Sequence, residues 1–160
     1  MQNKLIIAVM YSNLIKYNEV KKILMDKYNK IDIESEEYDF DKFTKYYEAE
    51  MGKKILKRFL LLDYTVVKND LIRIKNEITE IEKKCSIDNK RTINLDPGYL
   101  NDKELVLASY KKGTNYKEDL GSGVFCHKVL EFDLGKVRVF WHTFPDYREF
   151  KEFFASIIYQ

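Results

Sequence analysis

Asn94-Leu95-Asp96-Pro97-Gly98-Tyr99 is the segment whose residue types and spacing best suit a site. On a strand, Asn94 and Asp96 share one face while Leu95 takes the other. A polar pair at a strand end, followed by a fixed turn, presents binding groups to a ligand. The same residues also suit an Asx turn in which Asp96 bonds its own backbone and Pro-Gly sets the corner. Both readings stand on the sequence. A second cluster, Tyr46-Tyr47-Glu48-Ala49-Glu50-Met51-Gly52, sets carboxylates among tyrosines shortly before Lys57 and Arg58. That basic pair suits a phosphate or a carboxylate. Glu48 and Glu50 are two residues apart, so on a helix they splay and at most one of them points into a site. In an enzyme, Asp96 or Glu48 would be the general base, raised towards neutrality by burial beside tyrosines, with Glu50 the remaining candidate.

Weaker signals surround these two. Gly121-Ser122-Gly123 lacks the Walker lysine and precedes a strand, so it reads as a flexible strand entry. Asn29-Lys30-Ile31-Asp32 matches the guanine-reading tetrapeptide of GTPases, but it follows a helix and has no phosphate loop upstream, so it is read as coincidence. A two-residue turn at Leu134-Gly135 would set His127 opposite His142 and Glu131 opposite Arg138, a charge match that favours this register. It would also force Leu134 to a positive φ, so a three-residue loop that shifts the pairing by one is the alternative. In either register a metal lacks a third ligand, so no metal is expected and both histidines read as structural. Cys126 adjoins His127, and strand neighbours point to opposite faces, which excludes a nucleophile–base pair.

The elements that must position these groups follow from periodicity. Strands are expected at Lys4 to Tyr11, Ile31 to Tyr38, Phe59 to Val67 and Arg91 to Leu95. Helices are expected from Asn13 to Tyr28, Thr44 to Met51 and Asp70 to Cys85, the last with Leu71, Ile74, Ile78 and Ile81 on one face. Asn101 with Glu104 resembles a capping box for a short helix through Ser109, and Asp146 with Glu149 one for a final helix. Between those helices, Val124–Phe132 and Lys136–His142 form a hairpin. This order predicts an α+β fold with a ferredoxin-like βαββαβ core, extended by a C-terminal β-hairpin and helix. A flavodoxin-like α/β sheet is the alternative.

Length and composition bound the rest. A chain of 160 residues with 45% hydrophobic residues reads as a single domain, 1–160, with a core that needs no disulfide or metal staple. The 28 basic and 26 acidic residues leave a net charge of +2, which excludes a wholesale nucleic-acid condenser. Locally the balance is uneven. Residues 31–50 carry eight acids against two lysines, and residues 51–68 five bases against Asp63. No apolar run is long enough to span a membrane, and Cys85 and Cys126 form no motif, so a cytoplasmic protein with reduced cysteines is expected.

Taken together, the acidic-aromatic segment 46–52, Asn94 to Tyr99, Leu120-Gly121-Ser122-Gly123 and Trp141-His142-Thr143-Phe144-Pro145-Asp146-Tyr147 resemble the bacterial domain-of-unknown-function family 4416. Its members are sometimes labelled GTP-binding proteins, a label that the missing phosphate loop does not support. The resemblance covers nearly the whole chain and implies functional positions at Tyr46, Tyr47, Glu48, Glu50, Asn94, Asp96, Tyr99, Lys111, Trp141, Asp146 and Tyr147. Asn115-Tyr116-Lys117 stands where relatives show a His-Arg pair, which argues against histidine-based catalysis there. The expected function is binding of a small polar or phosphorylated metabolite, a nucleotide included, in an acidic and aromatic pocket. Lys57, Arg58 or Lys111 would hold the anion. One rival is an RNA-binding module whose tyrosines stack on bases. A protein-interaction or homo-oligomeric domain, suggested by the 12 tyrosines and 10 phenylalanines, is the other. The sequence names no cofactor and leaves the oligomeric state open.

Overall fold

A computed structural model describes residues 2–113 and 116–160. Strand β1 (Lys4–Tyr11) is buried at every position after its first, as a strand covered on both faces must be. Helix α1 (Leu14–Tyr28) starts at Asn13, whose side chain accepts the Lys16 N–H, and buries Tyr17, Val20, Leu24 and Tyr28. The acidic stretch that follows is broken into β2 (Ile31–Glu34) and β3 (Tyr38–Asp39), not one strand. A 3-10 turn at Phe40–Lys42 leads to α2 (Glu48–Met51), a single turn ended by Gly52 at φ +90° and shorter than the helix expected from Thr44. Strand β4 (Leu56–Thr65) and helix α3 (Asp70–Lys84) come next.

The segment after α3 departs most from expectation. Asp96-Pro97-Gly98-Tyr99 is not a turn but the middle of β5 (Ile93–Leu100), paired along its length with β1. Residues 104–109 form strand β6 (Glu104–Ser109), not a helix. Asn101 Oδ1 accepts the N–H groups of Lys103 and Glu104, closing a β5–β6 hairpin rather than capping a helix. Leu105 to Ala108 are buried on both strand faces, a run with no helical stripe. The chain continues through β7 (Glu118–Gly121), β8 (Val124–Asp133), β9 (Lys136–Val139), α4 (Pro145–Glu149) and α5 (Lys151–Ile158). The β8–β9 hairpin adopts the two-residue register, with Glu131 opposite Arg138. Leu134 and Gly135 take φ +48° and +77°, the pair of left-handed residues that this turn requires.

Among the described residues nine strands make one antiparallel sheet in the order β2-β4-β1-β5-β6-β8-β7, with β3 beside β4 and β9 beside β8. The fold is α+β. Leu5, Ile7, Val9 and Tyr11 pack under α1 and α3, while Ile6 and Ala8 face α4 and α5 with Phe59, Tyr147 and Phe154. Among the described residues no helix is long and apolar enough to cross a membrane.

Candidate functional site

The sheet forks beside Asp96. β5 and β6 pair only from Gly98↔Leu107 to Leu100↔Leu105, so the first half of β5 is paired on one side alone. Pro97 and Gly98 explain where the ladder stops. Proline supplies no N–H for pairing, so it is tolerated where a ladder ends. Glycine allows the close approach that follows, because a Cβ on Gly98 would lie 2.0 Å from the Val106 carbonyl oxygen. The dipeptide that reads as a turn in sequence therefore splits a sheet. In the fork lies a cavity of about 930 Å³ whose walls come from β1, β4, β5, β6, α3 and α4.

Its floor is a row across three strands, Lys57–Met10–Asn94, set by the pairs Met10↔Lys57 and Met10↔Asn94. Lys57 is buried and donates to Asp146 Oδ2 at 2.7 Å, the same oxygen that accepts the Tyr38 hydroxyl at 2.7 Å. The Lys57 ammonium also lies 4.8 Å from the ring centroids of both Phe40 and Tyr147. Asp146 thus serves as a buried counter-ion that fastens α4 to β4, and not as the cap of the last helix. Burial, followed by the neighbouring Asp146 and Tyr147, pushes the Tyr38 hydroxyl far above the ordinary tyrosine range.

A polar chain runs up from the floor. Asn94 donates to Asp96 Oδ2 at 3.0 Å and accepts from Arg91 at 2.6 Å. Arg91 in turn grips Glu50 through two bonds of 2.8 and 2.9 Å. Behind them α3 contributes Glu82, whose Oε2 accepts the Leu95 N–H at 2.8 Å. Burial raises its pKa above the usual 4.5, outweighing that hydrogen bond and the nearby Lys75 and Arg91 charges. Lys75 is only 8% exposed, with its ammonium 5.2 Å from the Tyr110 ring centroid. Among the described residues its ammonium forms no hydrogen bond or ion pair. Tyr147 is 2% exposed and its hydroxyl likewise has no hydrogen-bond partner among the described residues.

Of the residues singled out in the sequence, Tyr46, Tyr47, Lys57, Asn94, Asp96, Lys111, Asp146 and Tyr147 line this cavity. The others do not. Strand alternation sends Arg58 to the opposite face from Lys57, where its Nε donates to the Tyr11 hydroxyl at 3.1 Å and its guanidinium neighbours Glu34 and Glu37. Tyr99 also faces away, donating to Glu104 at 2.5 Å beside Lys117. Trp141 stands 81% exposed against His142. Glu50 borders a separate groove of about 430 Å³, and Glu48 lines neither space, the splay that their spacing demands. The lining is consequently basic, not acidic: Lys57, Lys75, Lys83, Arg91 and Lys111 face Glu82, Asp96 and Asp146.

Sequence reasoning missed Lys75, Glu82, Arg91 and Tyr110. Two of these were visible, since Lys75 and Glu82 each fall four residues after an apolar position, Leu71 and Ile78, on the buried face of the helix, where charge is costly unless used. His127 lines the cavity but bonds the Lys111 carbonyl, and His142 bonds that of Lys128, so each has a backbone partner. Among the described residues no group of three or more His, Cys, Asp or Glu could hold a metal ion. Both cysteines are free, and burial pushes the Cys126 thiol up to about 11. The Asn115 departure lies outside the described residues. A family model described as Domain of unknown function (DUF4416) matches residues 1–158. No curated protein and no solved structure matches the chain.

Proposed function

The chain belongs to the DUF4416 family, and we propose that it binds a small anionic, ring-bearing metabolite, a phosphorylated compound such as a nucleotide, in the cavity at the β5–β6 fork. The observation that carries this reading is Lys75. Among the described residues its ammonium has no carboxylate at ion-pair distance and feels only the more distant charge of Glu82, and such a group is satisfied when a ligand brings the negative charge. Three further features support it. The cavity volume of about 930 Å³ lies within the range of roughly 300–1,000 Å³ usual for ligand pockets. Cations outnumber carboxylates in its lining. Phe40, Phe43, Tyr46, Tyr47 and Phe144 give a ring a face to stack on. Asp96 is the carboxylate we assign as polar reader and, in any reaction, as general base, since Glu48 lies outside the lining and Glu50 is engaged by Arg91.

We read the βαββαβ portion as a ferredoxin-like plait, supported by the order β2-β4-β1-β5 and its antiparallel pairs. The C-terminal strands and helices extend it. The rival RNA reading is disfavoured because α1 and α3 cover one face of the central strands and α4 and α5 the other. A thermal-shift panel of nucleotides, sugar phosphates and inorganic phosphate tests the proposal. A ligand at a hundred times its Kd adds about 2.7 kcal/mol, which raises Tm by roughly 5–11 °C in a chain of this size. Such a shift is expected in the wild type and not in Lys75→Met. Silence of the wild type across the panel refutes the reading.

A further inference from the structure

We propose that the corner of this cavity formed by Asp96, Tyr47 and Tyr147 reads hydroxyl groups, so that the ligand is a sugar phosphate, either free or as the ribose phosphate of a nucleotide. The inference rests on the anion-binding reading above and names the class of compound. Its starting point is the Tyr147 hydroxyl, buried in the wall and without a partner among the described residues. Buried polar groups are nearly always satisfied, so such an atom needs an explanation. Tyr47, Asp96, Asp146 and Tyr147 all line this cavity, the Lys57 ammonium that bonds Asp146 lies 4.8 Å from the Tyr147 ring centroid, and the electrostatic influence of Asp146, Asp96 and Tyr47 on Tyr147 agrees with that placement. Tyr47 in turn feels Asp96 and Arg91.

The chemistry of that corner selects among ligand groups. An ionised Asp96 only accepts, and one of its oxygens already takes the Asn94 amide. Tyr147 offers a donor. A phosphate brings only acceptors and is repelled by Asp96 and Asp146. An ammonium donates to Asp96 and to the phenol oxygen but leaves the phenol proton unpaired, and an apolar ring satisfies neither group. A hydroxyl does both from one oxygen, donating to the carboxylate and accepting from the phenol. Lys75 belongs to α3, Tyr110 and Lys111 to the segment that follows β6, and Asp96 to β5, so the phosphate and the hydroxyls have separate places. A group built to bond a ligand hydroxyl discriminates strongly against the analogue without it.

Calorimetric titrations of wild type, Tyr147→Phe and Asp96→Asn test this. The probes are ribose 5-phosphate, inorganic phosphate, phenyl phosphate, adenosine monophosphate and its 2′,3′-dideoxy analogue. The expected result is that ribose 5-phosphate, or adenosine monophosphate over its dideoxy analogue, binds at least about tenfold tighter than the probe without hydroxyls. Which of the two shows the preference identifies the free sugar or the nucleotide as the source. Tyr147→Phe should lose about tenfold towards that hydroxylated ligand while leaving inorganic phosphate unchanged. Asp96→Asn, at a half-buried position, gives the same reading should Tyr147→Phe not fold. Equal binding of hydroxylated and hydroxyl-free phosphates, or unchanged sugar affinity in both variants, overturns the inference, while Lys75-dependent phosphate binding keeps the anion reading alive. No binding by any probe overturns both.

Discussion

Lys75→Met should stabilise the protein while removing its anion binding. The substitution keeps the unbranched stem that lies between Leu71 and Ile78 on the buried face of α3, so packing volume changes little. The ammonium's contact with Tyr110, at 5.2 Å from the ring centroid, is worth about 0.5–1 kcal/mol. A methionine sulfur against the same ring returns roughly 0.3–1.5 kcal/mol. These two cancel to first order. What remains is the desolvation of a charge that has no ion pair among the described residues, reduced because its head borders the cavity and its water. The net gain is therefore about 1 kcal/mol, or roughly 2–4 °C in Tm for a chain of this length. Urea denaturation of the ligand-free protein measures it. A loss of about 1 kcal/mol or more would mean that the ammonium performs structural work, and the argument that a ligand supplies its counter-charge would fail. A gain in stability together with a loss of phosphate affinity is the trade expected of a binding residue.

Three more outcomes follow from the same geometry. Lys57→Met leaves the Asp146 carboxylate buried with only Tyr38, and should cost about 3–5 kcal/mol by chemical denaturation; a change within about 0.5 kcal/mol would show that the pair does not hold α4. Glu82 has a folded pKa raised above 4.5, so its contribution is fully present below that value and is lost as pH rises through the folded pKa. Glu82→Gln should accordingly stabilise at pH 7.5 and lose that advantage below about pH 4, and a pH-independent difference between the two proteins contradicts the raised pKa. Leu134, 90% exposed at φ +48°, gains nothing from packing, so Leu134→Asn should stabilise by about 1 kcal/mol, read from the thermal midpoint.

Local pattern revealed most of the elements, and long-range pairing decided the exceptions. The helices over 14–28 and 70–84 were legible from their helical period, and the strand at Lys4–Tyr11 from a short, continuous apolar run. Residues 96–109 depart from their local signals for one reason. Asp-Pro-Gly and Asn-x-x-Glu are local signals for a turn and a helix cap, and both were present, yet each serves a sheet here. Pairing of β5 with β1 over Asp96 to Tyr99 overrides the turn. The hairpin turns at Asn101 instead. Leu134 shows the converse, since its positive φ argued against a register that the Glu131–Arg138 pair and the rest of the ladder enforce.

For the site, residue type identified candidates but geometry chose among them. Lys57 and Arg58 are adjacent in sequence and chemically alike, and a strand sends one to Asp146 and the other to Tyr11. Asp96 and Asp146 are fifty residues apart, and both line one cavity with Tyr147. Nothing in a single sequence states such a pairing. What the sequence does state is where a rule of burial is broken: a lysine and a glutamate on an apolar stripe. Among the described residues Lys75 has no ion pair, and Glu82 accepts the Leu95 N–H with the Arg91 guanidinium 3.8 Å away. Charges kept on the inner face of a helix without full pairing cost stability, and in this fold they sit where the sheet opens.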